Sequence, residues 1–166
     1  MLGFPFYLAF PFAMILAATL DLLTFTIPNR VCLLLLACFL IAGFSVGISL
    51  TLLSHLGSGL VLLVVGFAMF SCGWLGGGDA KLMAAAALWL GFDHLLPFLF
   101  WTAALGGLLA LVLLTYRRFL PPVWLLGQPW ALRLHDPKEG IPYGVAIGGA
   151  GLIVYPQTIW MTGIAG

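Results

Sequence analysis

Apolar runs of about 20 residues recur along the chain, separated by short Gly, Pro or polar breaks, which is the length an α-helix needs to cross roughly 30 Å of hydrocarbon. Hydropathy predicts six such spans, at about 2–22, 31–50, 57–74, 80–91, 95–116 and 141–161. A transmembrane β-barrel would show apolar and polar positions in alternation. Leu33-Leu34-Leu35-Leu36 and Leu60-Val61-Leu62-Leu63-Val64-Val65 have no polar alternate face. The expected fold is therefore an all-α membrane protein, a six-transmembrane-helix bundle in a single domain over 1–166. The fourth span is short. Ala80 to Gly91 rises only about 18 Å as a helix, so it must tilt, thin the bilayer locally, or be partly re-entrant.

Composition strengthens this picture. Of 166 residues, 63% are hydrophobic and 7% charged, far below the roughly 25% charged residues of soluble domains. A net charge of +1 without clustered Lys and Arg excludes a nucleic-acid surface. If the spans alternate sides, Arg30, Lys81, Arg117, Arg118, Arg133 and Lys138 share one face, while the connections near His55 and Asp93-His94 carry no Lys or Arg. The positive-inside rule makes the basic face cytoplasmic and puts both termini outside. The longest polar connection, Arg117 to Gly140, holds Pro121-Pro122, Trp124 and Trp130, and its Trp residues suit the headgroup region. Leu2 to Leu22 lacks a basic n-region and reads as a retained span, not a cleaved signal peptide. Cys32, Cys38 and Cys72 read as small buried hydrophobes, with no disulfide. His55, His94 and His135 fall in connections without ligand spacing, so no metal site and no cofactor are expected.

Candidate chemistry centres on Asp21 and Asp79, the latter closing the run Gly76-Gly77-Gly78-Asp79. A carboxylate at membrane depth costs on the order of 3 kcal/mol on insertion scales, so one that persists there normally has a task. Span parity puts both at one depth, just under the cytoplasmic interface. Two carboxylates in a small, partly dry site cannot both ionise cheaply and hold one proton between them. One can then activate a water while the other polarises a peptide carbonyl. Taken singly, Asp21 also fits a snorkelling helix end and Asp79 an N-cap. The glycine run permits close approach and unusual φ/ψ, and a substrate strand could pair there by β-addition; a flexible loop or close helix packing also accounts for it. Lys81 either pairs with a carboxylate or snorkels. Asn29 either orients a carboxylate or caps the second helix. Pro142 suits a helix start, and Gly148-Gly149-Ala150-Gly151 suit close helix packing. No His is placed to activate Cys72 as a nucleophile.

Three segments then carry a resemblance. Asp21-Leu22-Leu23-Thr24-Phe25-Thr26-Ile27-Pro28-Asn29, Gly76-Gly77-Gly78-Asp79-Ala80-Lys81-Leu82 and Ile141-Pro142-Tyr143-Gly144-Val145-Ala146-Ile147 resemble the signature segments of the type IV prepilin peptidases, GxGD-type aspartyl proteases of the bacterial inner membrane. The order and spacing are those of the short, peptidase-only branch. The resemblance implies that Asp21 and Asp79 are the catalytic pair and that Gly76 and Gly78 shape the loop holding Asp79. It further implies that Gly77, Lys81, Pro28 and Asn29 help to shape the site and that Pro142, Tyr143 and Gly144 line it beside Asp79. The implied substrate is a prepilin or pseudopilin, cut on the cytoplasmic side of its hydrophobic helix after a Gly that ends a basic leader. Nothing matches the paired CxxC domain of the family's methylating members, and the size is similar to peptidases serving Flp or tight-adherence pili.

A different class of function stays open on the residues alone: a small proton-coupled transporter or channel using the intramembrane aspartates. Such proteins usually show paired interruptions in two related halves, and none is found here. A presenilin-like protease shares the GxGD element but not Ile27-Pro28-Asn29. Beyond prepilin and the lipid bilayer no partner is implied, and assembly into a homo-oligomer is left open.

Overall fold

The computed structural model describes residues 7–46, 51–119 and 127–162. Every regular element among them is helical. In chain order these are α1 (Ala9–Thr24), α2 (Asn29–Val46), α3 (Leu52–Ser71), α4 (Gly77–Leu90), α5 (Leu95–Tyr116), α6 (Pro129–His135), α7 (Tyr143–Val154) and α8 (Ile159–Thr162), with 3₁₀ turns at Phe92–His94 and Tyr155–Gln157. Two stretches, Leu52–Ser71 and Phe92–Tyr116, are long and apolar enough to cross a membrane, and Ala9–Thr24 and Asn29–Phe44 are shorter apolar helices. The remaining helices are shorter still. At 1.5 Å per residue α4 is about 21 Å long and α7 about 18 Å.

The short helices occupy the centre. α4 packs against α3, α2 and α7, and α7 packs against α1 and α5. Small residues make this possible. Ala84 to Ala87 are all buried on α4. Gly66 of α3 approaches Ala80 so closely that a methyl there would lie 3.0 Å from the Ala80 Cβ. A Cβ on Gly148 would lie 2.9 Å from the Met14 carbonyl oxygen of α1, and one on Gly149 would lie 3.0 Å from Leu105 of α5. The glycines of α7 thus serve close helix packing, as their spacing predicts. Leu, Val and Phe of α3 and α5 face outward, for example Leu60, Phe67, Leu108 and Leu111.

One end of the bundle is closed by aromatics. Phe10 stacks on Tyr155 with ring centroids 4.4 Å apart, and Trp89 lies 5.0 Å from Trp160. Their polar atoms are satisfied by backbone: Trp89 Nε1 donates to the Leu35 carbonyl at 3.0 Å, Trp160 Nε1 to the Trp89 carbonyl at 2.6 Å, and Tyr155 OH to the Tyr7 carbonyl at 2.9 Å. His55, expected in a connection, instead lies buried in α3, its Nδ1 2.7 Å from the Leu88 carbonyl. Cys72, expected to be buried, is exposed at the C-cap of α3.

Helix boundaries depart from the hydropathy spans where backbone chemistry intervenes. α4 starts at Gly77, three residues before the apolar run, because Gly76 supplies the extended N-cap (φ −68°, ψ 143°). It stops at Gly91, which has φ 70°, a left-handed conformation that a side chain would strain. The predicted span 141–161 is broken after Val154, where Pro156 sits in the 3₁₀ turn and cannot continue an α-helix. The Arg117–Gly140 connection contains the short helix α6, with Trp130 half-buried; Pro121, Pro122 and Trp124 lie outside the described residues.

Candidate active site

At the end opposite the aromatic cluster, the C-terminal end of α1, the N-terminus of α4 and the N-terminus of α7 converge. Asp21 is in the last turns of α1 and only 5% exposed. The helix ends four residues later at Phe25, whose N–H donates to the Asp21 carbonyl at 2.8 Å. Phe25 has φ 55° and is the one non-Gly residue with positive φ among the described residues, a conformation costing roughly 1–2 kcal/mol. Strain of this kind persists where surrounding structure imposes it. Here it turns the chain so that Thr26 and Ile27 run back past Asp21. The Thr24 hydroxyl supports the turn, 2.7 Å from the Leu20 carbonyl and 2.9 Å from the Thr26 hydroxyl.

Asp79 stands in the first turn of α4, at the third helical position and not at the N-cap. The Gly76 backbone hydrogen-bonds its carboxylate, a side chain reaching back over its own helix start. Asp79 Oδ1 is buried and has no hydrogen-bond partner among the described residues. Asp21 lies within electrostatic reach of it. Both carboxylates line one cavity of about 260 Å³, together with Phe25, Thr26, Ile27 and the three glycines Gly76, Gly77 and Gly78.

The glycines act through proximity. None of the three has a positive φ, and Gly77 and Gly78 are already helical. The glycine run is therefore a helix start, not the loop expected from the sequence, and only Gly76 is extended enough for strand pairing. What the run provides is space. A Cβ would fall 2.7 Å from Asp79 Oδ2 at Gly76, 3.2 Å from Phe70 Cε2 at Gly77, and 3.2 Å from Ile27 Cβ at Gly78.

The third segment reaches the site through Asp21. Pro142 is the buried N-cap of α7. Two residues on, the Gly144 N–H donates to Asp21 Oδ2 at 2.7 Å. A Cβ on Gly144 would lie 2.8 Å from that same oxygen and 2.8 Å from Ile27 Cδ1. Tyr143 turns away and packs on Gly106 of α5. Among the described residues Lys81 pairs with no carboxylate; it is exposed and its Nζ donates to Asn29 Oδ1 at 2.9 Å, so Asn29 orients Lys81. Pro28 is exposed outside the cavity wall, its carbonyl accepting from Val31 N at 3.0 Å.

Arg117 is the residue that sequence reasoning counts only as a charge. Its Nε donates to the Leu134 carbonyl at 2.9 Å, and its Nη2 to the carbonyls of Glu139 at 2.9 Å and Gly140 at 3.0 Å. It thereby ties the end of α5 to the turn leading into Pro142 and Gly144. Its signal in the sequence is only a basic residue at a span end, which snorkelling and the positive-inside bias already explain.

A family model described as the type IV leader peptidase family matches residues 8–111, more than half of the chain and a stretch containing both aspartates. Gly144 and Arg117 lie beyond that match. No curated protein and no solved structure matches the chain.

Proposed function

The chain belongs to the type IV leader peptidase family, and we propose on that premise that it is a membrane-embedded aspartyl endopeptidase. Its substrate is a prepilin or pseudopilin, cut after the Gly that ends a short basic leader. The observation that carries this reading is the single cavity lined by Asp21 and Asp79, drawn from helices far apart in sequence. The chemistry follows from the arrangement. With one proton shared by the dyad, the ionised carboxylate takes a proton from a water whose oxygen attacks the peptide carbonyl carbon. The protonated partner hydrogen-bonds the carbonyl oxygen. As the C–N bond breaks, the leaving nitrogen takes up a proton from the dyad. The first N–H groups of α4 have no intrahelical acceptor and lie along the cavity at Gly77 and Gly78, where they can stabilise the developing oxyanion.

This reading places the site near the cytoplasmic face of a bacterial inner membrane, in a chain that crosses it six times with both termini outside. Co-expression with a full-length prepilin tests it, with leader loss read by mass. Asp21→Asn and Asp79→Asn should each lower cleavage by on the order of 10³-fold while the protein still inserts. The pH–rate profile should be bell-shaped, failing in acid when both carboxyls are protonated and in alkali when both are ionised. Cleavage near the unsubstituted rate in either variant would sink the proposal.

A further inference from the structure

Two further hollows continue from the aspartate cavity along the outside of α4. The first, of about 210 Å³, shares Gly77 with the aspartate cavity and is bounded by Phe70. It shares Leu63 and Lys81 with the second, a groove of about 540 Å³. The groove exists because α2 and α3 both pack on α4 and diverge from each other. Its walls are leucines, Leu33 and Leu36 from α2 and Leu60 from α3, and its floor includes Ala85. From Lys81 to Leu88 the floor runs for about 10 Å at 1.5 Å per residue. Its one charged group, the Lys81 ammonium bonded to Asn29, stands at the end nearest the aspartates.

We infer that this groove seats the hydrophobic helix of the substrate, an inference that rests on the peptidase reading above. An apolar helix lying between α2 and α3 would leave hydrocarbon at Lys81. Its extended leader-proximal segment would then cross Gly77, over which the half-exposed Phe70 ring closes and from which it must swing aside, and enter the cavity beside Asp79. The shared walls of the three hollows, Gly77 with the aspartate cavity and Leu63 and Lys81 with the groove, decide between occupants: a lipid chain fills an apolar groove but has no use for a neighbouring hollow that leads on to two carboxylates. Small residues on the floor matter because each added side chain would fill the groove and weaken the seating of the substrate helix.

The test uses the full chain in proteoliposomes and a full-length prepilin with one cysteine midway along its hydrophobic helix. In a chain whose Cys32, Cys38 and Cys72 are replaced by Ser, Leu36→Cys should form an oxidant-induced disulfide with the substrate. Leu111→Cys, on the exposed outer face of α5, should not. Ala85→Phe, which fills the floor, should raise KM for the same prepilin about tenfold at unchanged kcat. Disulfides from Leu111→Cys, or from neither position in preparations that still remove the leader, overturn the groove and leave the peptidase reading standing; the latter result assigns the groove to lipid alone. Failure of the unsubstituted chain to remove the leader removes the peptidase reading itself and the groove with it.

Discussion

A single methyl group on Gly144 would fall 2.8 Å from Asp21 Oδ2 and 2.8 Å from Ile27 Cδ1, too close for either to stay where it is. Gly144→Ala should therefore displace the carboxylate or the N–H that holds it, lowering leader cleavage by on the order of 10²-fold, the scale of a roughly 1 Å misplacement. Cleavage rates at saturating substrate, with insertion checked in parallel, would measure it. The two aspartates are legible in the sequence because charge is expensive in an apolar chain. Gly144 is legible only through its resemblance to a family segment, since nothing in its spacing says which carboxylate it meets. The bond between Lys81 and Asn29 is not legible for a related reason. Each has a plausible local role, and the bond between them spans 52 positions, which no local pattern encodes.

At the scale of elements, the turn ahead of α7 depends on Arg117. Its guanidinium reaches three carbonyls from one side chain, a planar fork that the point charge of Lys does not reproduce. Arg117→Ala should loosen the turn and lower kcat about tenfold with KM unchanged, because the turn governs Gly144 and not the apolar groove. Arg117→Lys should recover part of the loss, and limited proteolysis near Glu139 should report the loosening directly. The existence of α1 to α5 is legible from apolar runs, and their ends are not. The start of α4 is decided by Gly76 and its stop by Gly91, glycines that hydropathy counts only as breaks. The end of α1 is less legible still, because Phe25 takes a conformation that its own chemistry disfavours.

For the whole molecule, the bundle is held at one end by aromatics and carries its carboxylates at the other. Trp89→Phe would remove the indole N–H that bonds the Leu35 carbonyl in addition to its own helix, a loss of about 0.5–1.5 kcal/mol. It should lower the thermal midpoint in detergent while leaving cleavage at permissive temperature intact, since the change lies at the end of α4 remote from Asp79. The central place of the short helices α4 and α7 is not legible, because hydropathy favours long runs and both owe their position to Ala and Gly packing. The same arrangement governs how the molecule is made. α1 leaves the ribosome first, yet it packs mainly on α7, and Tyr7 and Trp160 meet at 6.3 Å near the two ends of the described chain. During synthesis α1 must wait in the bilayer without its main neighbour, and Asp21 stays without the N–H of Gly144. On the peptidase reading, leader cleavage should therefore begin only once α7 has been inserted and the Gly144 N–H has reached Asp21.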